Sequence, residues 1–163
     1  MTGKGDDTPD IVRDERMVTA LERGLRVLRC FGPDNAALGN GEIAARIAVP
    51  KPTVSRLTYT LTALGYLEQV PESGRFRLGP AVLSLGYDVL AGMEIRDLAR
   101  QPMRELADDT DASVYLGMPS GTEMVYIEAC PAPRTMTIRL AVGSRVPLAQ
   151  TGMGRAWLAA LEP

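Results

Sequence analysis

Residues 49–69, VPKPTVSRLTYTLTALGYLEQ, constrain this chain more than any other stretch, because one apolar stripe with clear start and stop signals leaves a single local solution. Pro52 suits a first helical turn, where its missing N–H costs nothing. Val54, Leu57, Leu61 and Leu64 then recur at helical spacing until Gly65 closes the run. At about 100° per residue the stripe centres on Leu57 and Leu61. Ser55, Arg56 and Tyr59 fall on the opposite half of the cylinder, with Lys51 and Thr53 flanking its first turn. The helix has one face to bury and one polar, cationic face whose use the neighbouring segments decide.

Upstream, Thr19 and Glu22 stand at capping-box spacing, and Leu21, Leu25, Leu28 and Phe31 predict a first helix with one buried stripe, stopped by Gly32-Pro33. The turn-rich PDNAALGNG leads to a short second helix, Glu42 to Ala48, with Ile43, Ala44 and Ile47 on one side. VPKP is then a tight link into the third helix. Downstream, YLEQVPESGRFRLG reads as two short strands around a Pro-Glu-Ser-Gly turn, and period two puts Arg75 and Arg77 on one face. A short helix, a tight turn, a longer helix with a polar start and a hairpin wing form the winged helix-turn-helix layout. There the longer helix presents its N-terminal half to the major groove and the wing meets phosphate or minor groove. A solvated surface explains any one piece alone; their order carries the reading.

Charge supports it only when taken by segment. The net charge of −2 argues against a nucleic-acid partner, yet residues 16–80 hold nine Lys/Arg against five Asp/Glu. Residues 1–15 and 81–163 are both acidic. The chain has no histidine, so the commonest general base and metal ligand is missing and a Ser-His-Asp triad is excluded. Cys30 and Cys130 have no thiol near them in sequence and read as packed small hydrophobes, with no zinc knuckle or redox pair. No apolar run approaches the roughly 20 residues of a membrane span, and the acidic N-terminus is unlike a signal peptide, so a cytoplasmic protein is expected. Residues 1–16 are expected to be a disordered acidic tail, and 17–79 the DNA-binding domain.

Gly79-Pro80 opens a further helix over 80–93, where Val82, Leu83, Leu85, Val89 and Leu90 need cover from a partner or from their own domain. An amphipathic pattern from Glu94 to Asp109 contains Pro102, which predicts a kink or a split. The DDTD that follows lacks the spacing and glycine of a calcium loop. SVYLGM, EMVYIEAC and MTIRLA read as strands and Thr151 to Leu161 as a helix, so the fold class expected is α+β. Gly152 and Gly154 do not make a dinucleotide loop, since the sixth position is Trp157. The backbone N–H groups of Gly152 and Met153 at a helix start could instead receive a small carboxylate.

The runs TALERGLRVLRCF, GEIAARIAVPKPTVSRLTYTLTALGYLE, GRFRLGPAVLSLG and GSRVPLAQTGMGRAWLAAL closely resemble the IclR family of bacterial transcription regulators, from residue 17 to 161. The resemblance implies a winged helix-turn-helix, a linker helix that contributes to dimerisation, and over 94–163 the first part of a GAF-like effector-binding domain. The effector half of such proteins continues for about as long again, so this chain is expected to be a fragment or a truncated form with an incomplete pocket. It implies a repressor more readily than an activator, working as a homodimer or dimer of dimers on a double-stranded operator without cofactor or metal. Lys51, Thr53, Ser55, Arg56 and Tyr59 would contact the groove, and Arg75 and Arg77 the backbone. Gly152 and Met153, with Ile138 and Val146, would line the pocket of a small organic-acid or aromatic effector, although core packing explains Ile138 and Val146 as well. Two rivals stay open: a ligand-binding module whose winged helix binds protein, and an enzyme using Asp108 or Glu128 as acid and base.

Overall fold

The computed structural model describes residues 15–134 and 140–161 of the chain. They form two compact units that divide between Asp88 and Val89.

The first unit begins with three helices: α1 (Thr19–Arg29), α2 (Asn40–Ile47) and α3 (Lys51–Ala63). Val27, Ile43, Ala44, Ile47, Val49 and Val54 are buried between them, with Leu28, Phe31, Leu57 and Leu61 packed around the edge. The turn between α2 and α3 is tight because Ala48 takes a left-handed conformation (φ 51°) and ends α2, which tucks Val49 into the core. Gly65 (φ 76°) ends α3 in the same way. The hairpin follows, with β1 (Leu67–Gln69) antiparallel to β2 (Phe76–Leu78). Leu38, from the connector before α2, pairs its backbone with Phe76 in both directions, at 2.9 and 2.8 Å, and the wing is thereby sewn to the helical body. Leu38, Leu67 and Phe76 all enter the same core.

Three expectations for this unit need correction. Thr19 is the first helical residue and not a cap: Val18 occupies the cap position with no side-chain bond, and Glu22 turns to Arg26 instead. The buried residue of α1 is Val27, while Leu21 and Leu25 are 62% and 49% exposed. In α3 Leu64 is 61% exposed and the polar Thr58 is buried in its place. The stripe rotates because α3 packs against two helices and the wing at once, which brings Val54 and Thr58, four residues apart, to the centre of the contact.

Helix α4 (Ala81–Ala91) runs across the division between the units and has no fully buried residue. Leu83, Leu85, Tyr87 and Val89 are between 55% and 76% exposed.

The second unit contains α5 (Glu94–Thr110), the strands β3 (Val114–Ser120), β4 (Glu123–Cys130) and β5 (Arg145–Pro147), and α6 (Gly152–Ala159). The strands form one antiparallel sheet in the order β3-β4-β5. Met103 and Ala107 of α5 pack on Val114, Leu116 and Cys130. Pro102 neither splits nor ends α5; the carbonyl that it leaves without a helical donor belongs to Leu98, itself 72% exposed, so water can satisfy it. The strand expected over MTIRLA lies mostly outside the described residues, as does Ile138. β5, which the sequence pattern did not announce, pairs Val146 with Met124. Helix and sheet are mixed in the chain as expected, with the helix-turn-helix first and an α/β unit after it. Among the described residues no helix is long and apolar enough to cross a membrane.

Candidate functional site

The polar side of α3 is set by what the other side buries. Val54 is wholly inaccessible and Thr58 1% exposed, so Lys51, Ser55, Arg56 and Tyr59 all face solvent, Tyr59 at 77%, while Thr53 is half-buried. No side chain caps α3; Pro50 lends its carbonyl to the N–H groups of Thr53 and Val54 at 2.9 and 3.1 Å. Pro52 has no N–H to satisfy, so this helix start is open toward solvent and carries the positive end of the helix dipole beside Lys51. Four of the five residues singled out on α3 thus lie in its N-terminal half, and Tyr59 continues the exposed side one turn beyond Ser55 and Arg56.

Both wing arginines are turned to carboxylates. Arg75 directs Nη2 at the two Glu42 oxygens, each at 2.6 Å, and Nε at the Ala37 carbonyl at 3.2 Å. Glu42 also accepts the Gly39 N–H at 2.8 Å. That N–H first, and then the charge and hydrogen bond of Arg75, hold the Glu42 carboxyl below its ordinary range against some desolvation. Arg77 pairs across the hairpin with Glu68 at 2.8 Å. Both pairs are well exposed, where such contacts contribute about 1 kcal/mol or less and a phosphate can compete for the guanidinium. Sequence reasoning placed these arginines on one face and missed Glu42 and Glu68, because a cross-element ion pair has no local periodicity.

Asn40, in the first turn of α2, was also missed. Its amide donates to Ser55 Oγ at 3.1 Å and accepts from Thr58 Oγ1 at 3.0 Å.

In the second unit Val146 stands opposite Met124, and Tyr126 opposite Gly117, on one face of the sheet. α6 lies over that face: a Cβ on Gly117 would overlap Met153 Sδ, so the glycine makes room for the methionine. Tyr115 and Tyr126 pack ring to ring at 4.9 Å. Thr151 caps α6 through the Gly154 N–H at 3.3 Å, which leaves the N–H groups of Gly152 and Met153 without a protein acceptor among the described residues. Gly152 and Met153 thus stand at the start of α6, and Val146 lies on the sheet face that α6 covers, the face that carries Tyr126.

Asp108 of α5 and Glu128 of β4 line a separate cleft of about 240 Å³ with Arg100, Arg104 and Cys130. Glu128 accepts from Arg96 and Arg100, both at 3.1 Å. Burial raises its carboxyl, but the Ala129 N–H and the two arginines outweigh that and leave it below the ordinary carboxylate range. A carboxylate so held is a strut and a weak proton acceptor. A folded-state pKa below the unfolded one contributes stability above the unfolded value and loses it as pH falls through the folded one. The second unit should therefore weaken as pH drops below about 4.5. Glu128→Gln should lower stability at neutral pH and flatten that acid slope, as read by thermal unfolding at stepped pH.

A helix-turn-helix with a hairpin wing, followed by an α/β unit, places the chain among winged helix-turn-helix proteins. Two family models match the chain: the IclR helix-turn-helix domain over residues 20–71, and the bacterial transcriptional regulator IclR C-terminal domain over residues 87–163. The chain belongs to the IclR family. The HTH-type transcriptional regulator TsaQ1/TsaQ2 of Comamonas testosteroni is 34% identical over 93% of this chain and 55% of its own length. An IclR family transcriptional regulator from Brucella abortus, known as a crystal structure, matches with a TM-score of 0.79 at 47% identity, over 91% of this chain and 56% of that one. An IclR homologue from Microbacterium hydrocarbonoxydans, crystallised with 4-hydroxybenzoate, matches with a TM-score of 0.70 at 26% identity, over 88% and 60%. The chain thus spans little more than half the length of these relatives.

Proposed function

We propose that this chain is the DNA-binding and effector-sensing part of a dimeric, ligand-responsive repressor. The observation that carries the reading is the polar side of α3, where Lys51, Thr53, Ser55 and Arg56 follow an open helix start and Tyr59 extends the exposed surface one turn further. That side enters the major groove, while Arg75 and Arg77 exchange their exposed carboxylate partners for phosphate or minor-groove contacts. Helix α4, apolar and uncovered, meets the same helix of a second copy, which sets the spacing of two operator halves. The Gly152 and Met153 N–H groups, at the start of a helix that covers the sheet face carrying Val146, suit a small aromatic or organic-acid effector, the chemistry that the Microbacterium relative binds. Ile138 belongs to the same proposed set but falls outside the described residues. The effector acts only through unequal affinity for two dimer geometries.

The test is to let the purified chain select duplexes from a random pool and then titrate the enriched duplex at several salt concentrations. A slope of log affinity on log salt that falls by about one in Arg77→Ala, with sequence preference kept, is the result expected of a phosphate contact. A chain that enriches no sequence, or an Arg77→Ala slope equal to wild type, contradicts the corresponding part.

A further inference from the structure

The reading face of α3 contains one residue whose hydroxyl is already spoken for on the protein side. Ser55 Oγ lies 3.1 Å from Asn40 Nδ2, and the same amide oxygen lies 3.0 Å from Thr58 Oγ1. Thr58 is fixed in turn: it is 1% exposed and its hydroxyl sits within 3.1 and 3.2 Å of the Val54 and Ser55 carbonyls. Asn40 is therefore a bridge from the first turn of α2 to a buried anchor and an exposed end on α3. A serine hydroxyl has one hydrogen and two lone pairs. Once its oxygen accepts the Asn40 amide, its hydrogen is not needed on that side and can be offered to the solvent side that Arg56 shares.

We propose that Asn40 is a positioning residue for DNA recognition, which presents Ser55 to the duplex as a hydrogen-bond donor without touching the duplex itself. The inference rests on the proposed function. The acceptors that such a donor fits are guanine N7 and O6, adenine N7, thymine O4 and phosphate oxygen. A base acceptor makes the effect depend on one base pair, and a phosphate oxygen makes it uniform across sequences, so titrations against duplexes with single base-pair changes separate the two sources. Both arms leave Ser55 as the donor. The amide is matched to the role because it can give to Ser55 and receive from Thr58 at once. A carboxylate at position 40 could only receive, and would turn the Ser55 hydrogen inward.

The experiment is a double-mutant cycle on the duplex that the full chain enriches from a random pool, with thermal unfolding of every variant alongside. Ser55→Ala and Asn40→Ala should each weaken binding by about three- to tenfold. In the Ser55→Ala background Asn40→Ala should cost less than twofold in binding, although it still lowers the unfolding midpoint there, because the Thr58 hydrogen bond to Asn40 is lost in both backgrounds. Asn40→Asp should weaken binding more in the wild-type background than in Ser55→Ala, which isolates the hydroxyl from the added charge. Equal losses from Asn40→Ala in both backgrounds would show a structural role and overturn the proposal, as would full affinity in Asn40→Asp. If the wild-type chain enriches no duplex, the functional reading fails first, and this proposal falls with it.

Discussion

Gly79→Ala should lower the unfolding midpoint of the N-terminal unit by about 10 °C or more. Gly79 closes the wing by donating its N–H to the Tyr66 carbonyl at 2.9 Å, and a Cβ there would overlap the Gly65 carbonyl and crowd the Tyr66 backbone. Both obstacles are main chain, so no rotamer change relieves them. Overpacking costs about 1–3 kcal/mol and more where the backbone must move. In a unit of this size each kcal/mol shifts the midpoint by roughly 4–8 °C. Gly24→Ala is the internal control, because a Cβ at Gly24 meets nothing and α1 gains about 1 kcal/mol of helix propensity. Circular dichroism melts of the two variants should move in opposite directions. A Gly79→Ala midpoint at or above that of wild type would mean that the wing is not seated as described.

Arg56→Ala should weaken binding to the enriched duplex by about 1–3 kcal/mol, roughly five- to 150-fold, and relax preference at one base pair. Arg56 stands exposed one turn into α3 and, among the described residues, has none of the carboxylate partners that hold Arg75 and Arg77, so its guanidinium is available for a bidentate contact. Its removal leaves the buried stripe intact, and the melt should stay within about 2 °C of wild type. Competition between the enriched duplex and duplexes with single base-pair changes separates base reading from charge alone. A loss that is equal for every sequence would reassign Arg56 to phosphate, and unchanged affinity would remove it from the interface.

Much of the N-terminal unit was legible because its signals are local. Ile43, Ala44, Ile47 and Val54 announce two helices, Gly65 ends the second, and alternation around Pro71–Gly74 gives the hairpin. What the sequence hid was contact between elements. Nothing in a periodic pattern says that Leu38 will join the wing, that Thr58 will be buried against Asn40, or that Glu42 will reach Arg75 across 33 residues. The Leu21 and Leu25 stripe misled for the same reason: spacing shows that residues share a face, while burial depends on whether another element arrives to cover it. In the second unit β5 escaped notice because three residues give too few alternations to count, and it exists as a strand only by pairing with β4. The candidate ligand face follows the register of that pairing, which no single segment encodes.

The central claim, that the polar side of α3 is the surface that meets DNA, is tested most directly by backbone amide shifts recorded while an enriched duplex is added to the labelled 17.6 kDa chain. The largest changes are expected at Lys51, Thr53, Ser55, Arg56 and Tyr59, with a second group at Arg75 and Arg77. Saturable binding that leaves the amides of α3 unmoved and shifts another surface instead would contradict it.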